Sequence, residues 1–363
     1  MPPSLLSLPN DALERVLGCL ELEERRGAVP LVCRRLLQLV DSPALNAAVS
    51  AGFDGQRCLP RLRSFCAWFA CHRGSVQQLK LFVDVDMRSG SEVMGQLCGA
   101  LAASGAAGCP LAGLSLELAL PLPCTSWLPE LRSLRTLAIA SCYSTDVAFE
   151  RCLSALHLQE LWLDVSPGCL QYDPAAAWPS SLTRLRLRGA DSLPLCLLSQ
   201  LTRLQALSVA YAGYAGESYA PLAALPALRQ LSLQEVHQLP SCLPDLTSLQ
   251  ALSSCLTRLL TTLPALTASM PALAGAAALR TLGITCPRGH APPADLAAAL
   301  RWAGRLPALR EVVLAADDTL LRETCAEAVH ALRSSSAAVR LVPHMLYGDD
   351  LRPPCVGPDP MPS

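Results

Sequence analysis

Residues 158–163 read LQELWL and residues 182–187 read LTRLRL, each with leucine at its first, fourth and sixth positions. The same spacing recurs at 134–139 (LRTLAI), 204–209 (LQALSV) and 228–233 (LRQLSL), and the five first positions lie 24, 24, 22 and 24 residues apart. Side chains alternate along a strand, so the last two apolar residues of each unit share one side. The first leucine turns inward where the chain enters the strand. One unit cannot bury that side alone, so neighbours must stack with their strands in parallel. A buried leucine contributes roughly 1.5–3 kcal/mol, and the array is stable only as a stack.

Outside this block the pattern weakens without stopping. Leu111, Leu114 and Leu116 precede it, and before them Val76, Leu79 and Leu81. Leu279, Leu282 and Ile284 follow, then Leu309, Val312 and Leu314, with Val339 and Leu341 as a closing strand. Leu249 and Leu252 open a copy whose third position is Ser254, and an irregular insertion continues to Ala278. The period falls in the leucine-rich repeat range. The expected fold is therefore α/β: a leucine-rich repeat solenoid over residues 76–342, a horseshoe with a parallel concave sheet.

Several return segments carry helical spacing: Met94, Leu97, Cys98 and Leu101; Phe149, Cys152, Leu153 and Leu156; Leu321, Cys325, Val329 and Leu332. Leu222–Pro226 and Pro240–Pro244 hold too much proline for regular helix and are expected as extended or single-turn segments. Residues 343–363, rich in Pro, Asp and Gly, are expected to be a disordered tail.

Composition narrows the function. Hydrophobic residues make up 51% of the 363 and aromatics 4%, which suits many similar small units rather than one aromatic-rich globule. The formal net charge of -1 gives no field for nucleic acid. The 17 cysteines are scattered, odd in number and free of any CxxC pair. Zinc and dithiol chemistry thus lack their spacing, and buried free thiols in a reducing compartment are expected. Cys66, Cys71 and His72 are close in sequence but lie in one apolar helical pattern. The N-terminus lacks the basic and apolar regions of a signal peptide, and the most apolar later stretch is broken by Pro271 and Gly275. A cytoplasmic or nuclear protein with no membrane partner is expected.

Residues 5–49 break the repeat and are expected as a small all-α module. Leu13, Val16, Leu17 and Leu20 mark one helical face, Val32, Leu36, Leu39 and Val40 a second, and Ser42-Pro43 starts a third helix with Leu45, Ala48 and Val49. A linker helix is expected over 50–75. About 45 residues is short for an independent core, so a partner is expected to cover part of it. The segment resembles the F-box family in Leu8-Pro9 with Leu13, the Val16-Leu17…Leu20 face, Val32-Cys33-Arg34-Arg35, and Ser42-Pro43 with Leu45. Ahead of leucine-rich repeats it is similar to F-box/leucine-rich repeat proteins, of plant or green-algal type. The family often carries Trp where this chain has Leu36 and Asn46. The resemblance implies that Leu8, Pro9, Leu13, Val16, Leu17, Leu20, Val32 and Cys33 bind a Skp-type adaptor and, through it, a cullin scaffold. The repeats would then present a protein substrate for ubiquitination. A repeat scaffold for a cytoskeletal or signalling assembly, with no ubiquitin role, is the alternative.

No phosphate-binding loop, HExxH or GxSxG is present; the nearest approach, residues 216–220 (GESYA), lacks the last glycine. Neither catalysis nor a cofactor or metal is expected. A ligand is expected on the concave side, where the x positions of L-x-L face. Stacking sets Glu160 beside Arg184, Trp162 beside Arg186 and Asp164 beside Arg188, with in-register strands roughly 4.8 Å apart. This is either a recognition patch, since Trp and Arg are favoured at hot spots, or a self-satisfied ladder of two ion pairs and one cation–π contact. As a patch it would suit an acidic or phosphorylated segment, with Tyr211, Tyr214 and Tyr219 extending it along the rim. The chain has a single lysine, Lys80, at an outward position between Leu79 and Leu81.

Overall fold

The computed structural model describes residues 8–20, 22–54, 58–85, 87–120, 125–141, 152–165, 177–188, 198–210, 220–234, 248–255, 278–285, 301, 303, 306, 308–316 and 338–343. The chain divides into two compact units, Met1–Leu201 and Thr202–Ser363.

The first unit opens with short helices. Pro9 precedes α1 (Asn10–Gly18), where its missing N–H costs nothing. Leu13 and Leu17, one turn apart, are buried, whereas Val16 between them is not. Next come α2 (Leu22–Gly27) and a 3-10 turn (Val29–Leu31). Extended backbone at Cys33 separates that turn from α3 (Arg34–Val40). Val32 therefore lies outside the helix whose stripe it was expected to join. The Ser42 hydroxyl accepts the Leu45 N–H and Pro43 fills the first turn, which starts α4 (Pro43–Asn46). Leu13, Leu17, Val29, Leu36, Leu39, Val40 and Leu45 form one core.

The third helix is shorter than expected. Ala48 and Val49 leave it for β1 (Ala48–Asp54), which runs parallel to β2 (Gln78–Asp84), Val49 opposite Leu79 and Phe53 opposite Val83. The sheet thus begins at Ala48, not at residue 76. Its first strand escaped the leucine template because its inward positions are Val49, Ala51 and Phe53. The expected linker helix over 50–75 is likewise corrected. Helix α5 spans Cys58–His72 and buries Cys58, Leu62, Phe65, Trp68 and Phe69, so it is the return segment of the first repeat.

Four more strands continue the parallel array: β3 (Gly113–Leu118), β4 (Thr136–Ser141), β5 (Glu160–Val165) and β6 (Arg184–Arg188). Leu79, Leu114, Leu137, Leu161 and Leu185 stand in one register row, and all are buried. The row with Leu81, Leu116, Ile139, Leu163 and Leu187 is buried too. The stacking expected from L-x-L is what the strands do.

A repeated backbone contact sets the register. At the entries of β2 to β6 one carbonyl accepts two consecutive N–H groups from the next unit. Ala47 O takes those of Gln77 and Gln78 at 2.9 and 2.8 Å, and Arg135 O takes those of Gln159 and Glu160 at 2.7 and 3.0 Å. Ser181 Oγ donates to Leu158 O at 2.7 Å and ties the β6 entry to the preceding unit.

Helix α6 (Met87–Ala106) returns behind β2, with Met94, Leu97, Cys98 and Leu101 buried. It ends at Gly108, whose φ of 74° is the left-handed conformation that suits glycine. A Cβ on Gly105 would lie 2.8 Å from the Glu130 backbone, so the helix meets the following 3-10 turn (Leu128–Glu130) at bare glycine.

The second unit repeats the plan: β7 (Ala206–Ala210), β8 (Gln230–Gln234), β9 (Ala251–Cys255), β10 (Thr281–Thr285), β11 (Glu311–Ala316) and β12 (Ala338–Pro343), each parallel to the next. The copy with Ser254 is a strand in register, Ser254 opposite both Leu233 and Ile284. The proline-rich return at 222–226 is mostly a single 3-10 turn (Ala220–Ala224). Both units are leucine-rich repeat arrays. The helix expected around Leu321, the Pro240–Pro244 segment and residues 344–363 of the expected tail lie outside the described residues, whereas Pro343, expected as the start of that tail, ends β12.

Candidate functional site

Two surfaces of the first unit carry candidate residues. The first is the helical module. Leu13 and Leu17 were expected at an adaptor surface, but they lie in the module's own core, with Leu8, Leu20 and Cys33 packed against it. Of the expected set, Val16 (43% exposed) and Val32 (64%) stand in water as large apolar side chains, and Pro9 is exposed too. Leu31, at 85%, and Leu37, at 48%, belong with them and were missed. They were missed because neither falls on a helical stripe. Leu31 ends a 3-10 turn, and Leu37 lies off the buried stripe of α3 formed by Leu36, Leu39 and Val40. Four large apolar side chains thus stand in water on a module of about 40 residues.

Arg35 holds this module in shape. Its guanidinium donates to Asn10 Oδ1 at 2.9 and 2.6 Å and to Leu8 O at 2.7 Å, tying α3 to the start of α1. Arg25 is buried and donates to Leu45 O at 2.8 Å, and burial pulls its pKa down from the usual arginine value. Asn46, at one of the positions where the family often carries Trp, is buried, and among the described residues its Nδ2 has no hydrogen-bond acceptor. Such an unmet donor costs about 1–3 kcal/mol. The module is braced against the first repeat. Arg26 lies over the Trp68 ring at 5.6 Å, Trp68 stacks on His72 at 4.8 Å, and His72 Nε2 is 3.5 Å from Asp41.

The second surface is the outward face of β1–β6. Arg184 pairs with Glu160 at 3.2 Å and Arg188 with Asp164 at 3.4 Å. The Arg186 guanidinium lies 4.3 Å from the centroid of the Trp162 ring. The in-register ladder is thus formed, and Trp162 is still 40% exposed. On one side of it the floor drops to Ala138 and Ser115, then rises at Lys80 in the same register row. Phe82, two residues beyond Lys80, is the other exposed large apolar residue of this face among the described residues. Tyr211, Tyr214 and Tyr219 lie outside the described residues.

The thiols fit a packing role. Cys58, Cys98 and Cys109 are buried. Burial pushes the Cys66 thiol up, and Cys109 likewise, against the pull of the Leu111 amide and Arg73. Among the described residues no three metal-ligating side chains cluster, and no helix is long and apolar enough to cross a membrane.

Comparison with known proteins finds the F-box domain family at residues 5–47. A search of curated protein sequences gives no match. Solved structures that resemble the chain include the Toll–Spätzle complex of Drosophila, at 15% identity over 56% of this chain and 27% of that one (TM-score 0.39). The functional domain of InlJ from Listeria monocytogenes matches at 12% identity over 75% and 49% (TM-score 0.34). The leucine-rich repeat ectodomain of the plant receptor kinase GASSHO1/SCHENGEN3 from Arabidopsis thaliana matches at 13% identity over 83% and 39% (TM-score 0.36). The chain thus spans between about a quarter and a half of each of these structures.

Proposed function

We propose that this chain, an F-box domain followed by leucine-rich repeats, is the substrate-recognition subunit of an SCF-type ubiquitin ligase. F-box domains generally bind Skp-type adaptors, and leucine-rich repeat domains bind protein partners. The observation that carries the assignment is a helical module that completes its own core and still leaves Val16, Leu31, Val32 and Leu37 in water. Burying one such side chain contributes roughly 1.5–3 kcal/mol, so an adaptor covering them gains a stable seat. Through the adaptor the chain joins a cullin scaffold, and its outward sheet face holds a protein substrate around Trp162 and Arg186. The chain itself performs no reaction; it brings a substrate to a ubiquitin-charged enzyme, in the cytoplasm or nucleus.

Reconstitution tests this. Proteins retained by the parent chain but not by Trp162→Ala should gain ubiquitin when adaptor, cullin and a charged conjugating enzyme are added. Retained proteins that stay unmodified in a complex that discharges ubiquitin would refute the assignment.

A further inference from the structure

Each outward charge of β5 and β6 already has a partner: Glu160 pairs with Arg184, Asp164 with Arg188, and Arg186 lies on the Trp162 indole. The part of the face on β2 and β3 is different. Lys80, Asp84 and Glu117 are exposed there, and among the described residues no ion pair or hydrogen bond holds any of the three. The two carboxylates flank Phe82, which is 38% exposed: Glu117 is its register partner on β3, and Asp84 stands two residues further along β2. Gly52, opposite Phe82 on β1, has no side chain to cover the ring. Arg61 of α5 reaches the same edge but is held by Asp54 at 3.3 Å and by the Gly52 carbonyl at 3.1 Å. Beyond Glu117 the floor is low, with Ala140 opposite it on β4 and Ala138 before that on the same face. At the strand-entry end the Gln78 side chain lies across Gly113, where a Cβ would collide with it, so the open part of the floor is the part beside Phe82 and Glu117.

We propose that the outward face receives a partner segment that sets one lysine or arginine side chain against Phe82, its stem over Ala140 and its cationic head between Glu117 and Asp84. The inference rests on the substrate-receptor function proposed above and names the chemistry of the partner. A lysine or arginine stem packs on apolar surface while its head stays polar, and an aromatic ring adds attraction for the cation. An acidic or phosphorylated segment finds the reverse. The β6 arginines are already answered by Glu160, Asp164 and the indole, and on β2 and β3 such a segment meets two bare carboxylates against one lysine. Like charges brought together cost affinity, so Glu117 and Asp84 turn acidic partners away. Lys80, two residues before Phe82 and facing only Ser50 and Ser115 across the strands, repels a second cation at that end. Phe82 and Trp162 stand three strand spacings and two residues apart, about 16 Å. A standard interface of roughly 800 Å² on each partner spans both.

The probe is a random peptide library displayed on phage and selected on the immobilised full chain. Enriched peptides are synthesised and titrated into the parent, Glu117→Gln, Phe82→Ala and Lys80→Gln. All three side chains are exposed, so each variant should melt like the parent. Enriched peptides are expected to share a basic residue beside an apolar one. Their binding should weaken by about tenfold or more on Glu117→Gln and on Phe82→Ala, and hold or tighten on Lys80→Gln. Glutamine in place of the peptide's basic residue should erase the difference between parent and Glu117→Gln, which ties the effect to that pair. Acidic enriched peptides, binding that weakens on Lys80→Gln, or a library with no binder that depends on Glu117 would overturn the proposal. Adaptor binding is titrated on the same proteins. A parent that takes basic peptides but no adaptor would sink the ligase assignment and leave the surface chemistry standing, whereas adaptor binding with peptides indifferent to Glu117 would sink only the docking chemistry.

Discussion

Alanine at Arg186 separates the two roles open to the Trp162–Arg186 ladder. As a fold element the ladder is worth little. The guanidinium sits 4.3 Å from a ring that is 40% exposed, and a cation–π contact at such a site contributes about 0.5–1 kcal/mol. The flanking Arg184–Glu160 pair is about half exposed, and pairs of that kind contribute about 0.2–1 kcal/mol. Arg186→Ala should therefore lower the melting temperature by about 2–4 °C at most, the shift that 1 kcal/mol produces in a domain of 150–250 residues. As a recognition element it is worth more. Truncating an anchoring Trp or Arg costs 2 kcal/mol or more, a weakening of about 30-fold or greater. The assay pairs thermal melting of Arg186→Ala and Trp162→Ala with titrated partner capture on immobilised chain. Near-parent melting with capture weakened by that factor is expected. A variant that melts far below the parent yet captures partners equally would refute the recognition role.

Three further outcomes follow from the packing. Leu185→Asp sets an unpaired charge in the buried row beside Leu161 and should unfold more than one repeat, seen as a broad loss of cooperative melting; a parent-like melt would mean that the register is wrong. Gly105→Ala places a Cβ 2.8 Å from the Glu130 backbone and should cost about 1–3 kcal/mol by denaturant titration, whereas Gly99→Ala, with open space around its Cβ, should be neutral or stabilising. Iodoacetamide at neutral pH should alkylate exposed Cys19 and Cys71 well before buried Cys58, Cys98 and Cys109; equal rates by peptide mapping would contradict the burial described for them.

Much of the repeat array is legible in the sequence because its physics is periodic. Leu137, Leu161 and Leu185 occupy equivalent places, so one template finds them all, and stacking dictates which outward residues become neighbours. The pairing of Glu160 with Arg184 and of Asp164 with Arg188 follows from that register alone. What the template cannot reach is the capped end. There β1 is covered by helices and paired on one side, so its inward positions take Val49, Ala51 and Phe53 to fit local volume. The helical module is legible as helices but not as a surface. An apolar residue predicts burial without saying in which partner, so Leu13 and Val16 read alike although one is core and the other stands in water. Leu31 leaves no periodic trace, since a 3-10 turn of three residues is too short to show one.

Titration of a purified Skp-type adaptor into the full chain tests the central assignment most directly, with Leu31→Asp/Val32→Asp measured beside the parent. Both side chains are solvated, so the double variant should melt like the parent. The parent is expected to form a one-to-one complex and the variant to lose it. No complex with the parent, or equal binding by a folded variant, would contradict the account.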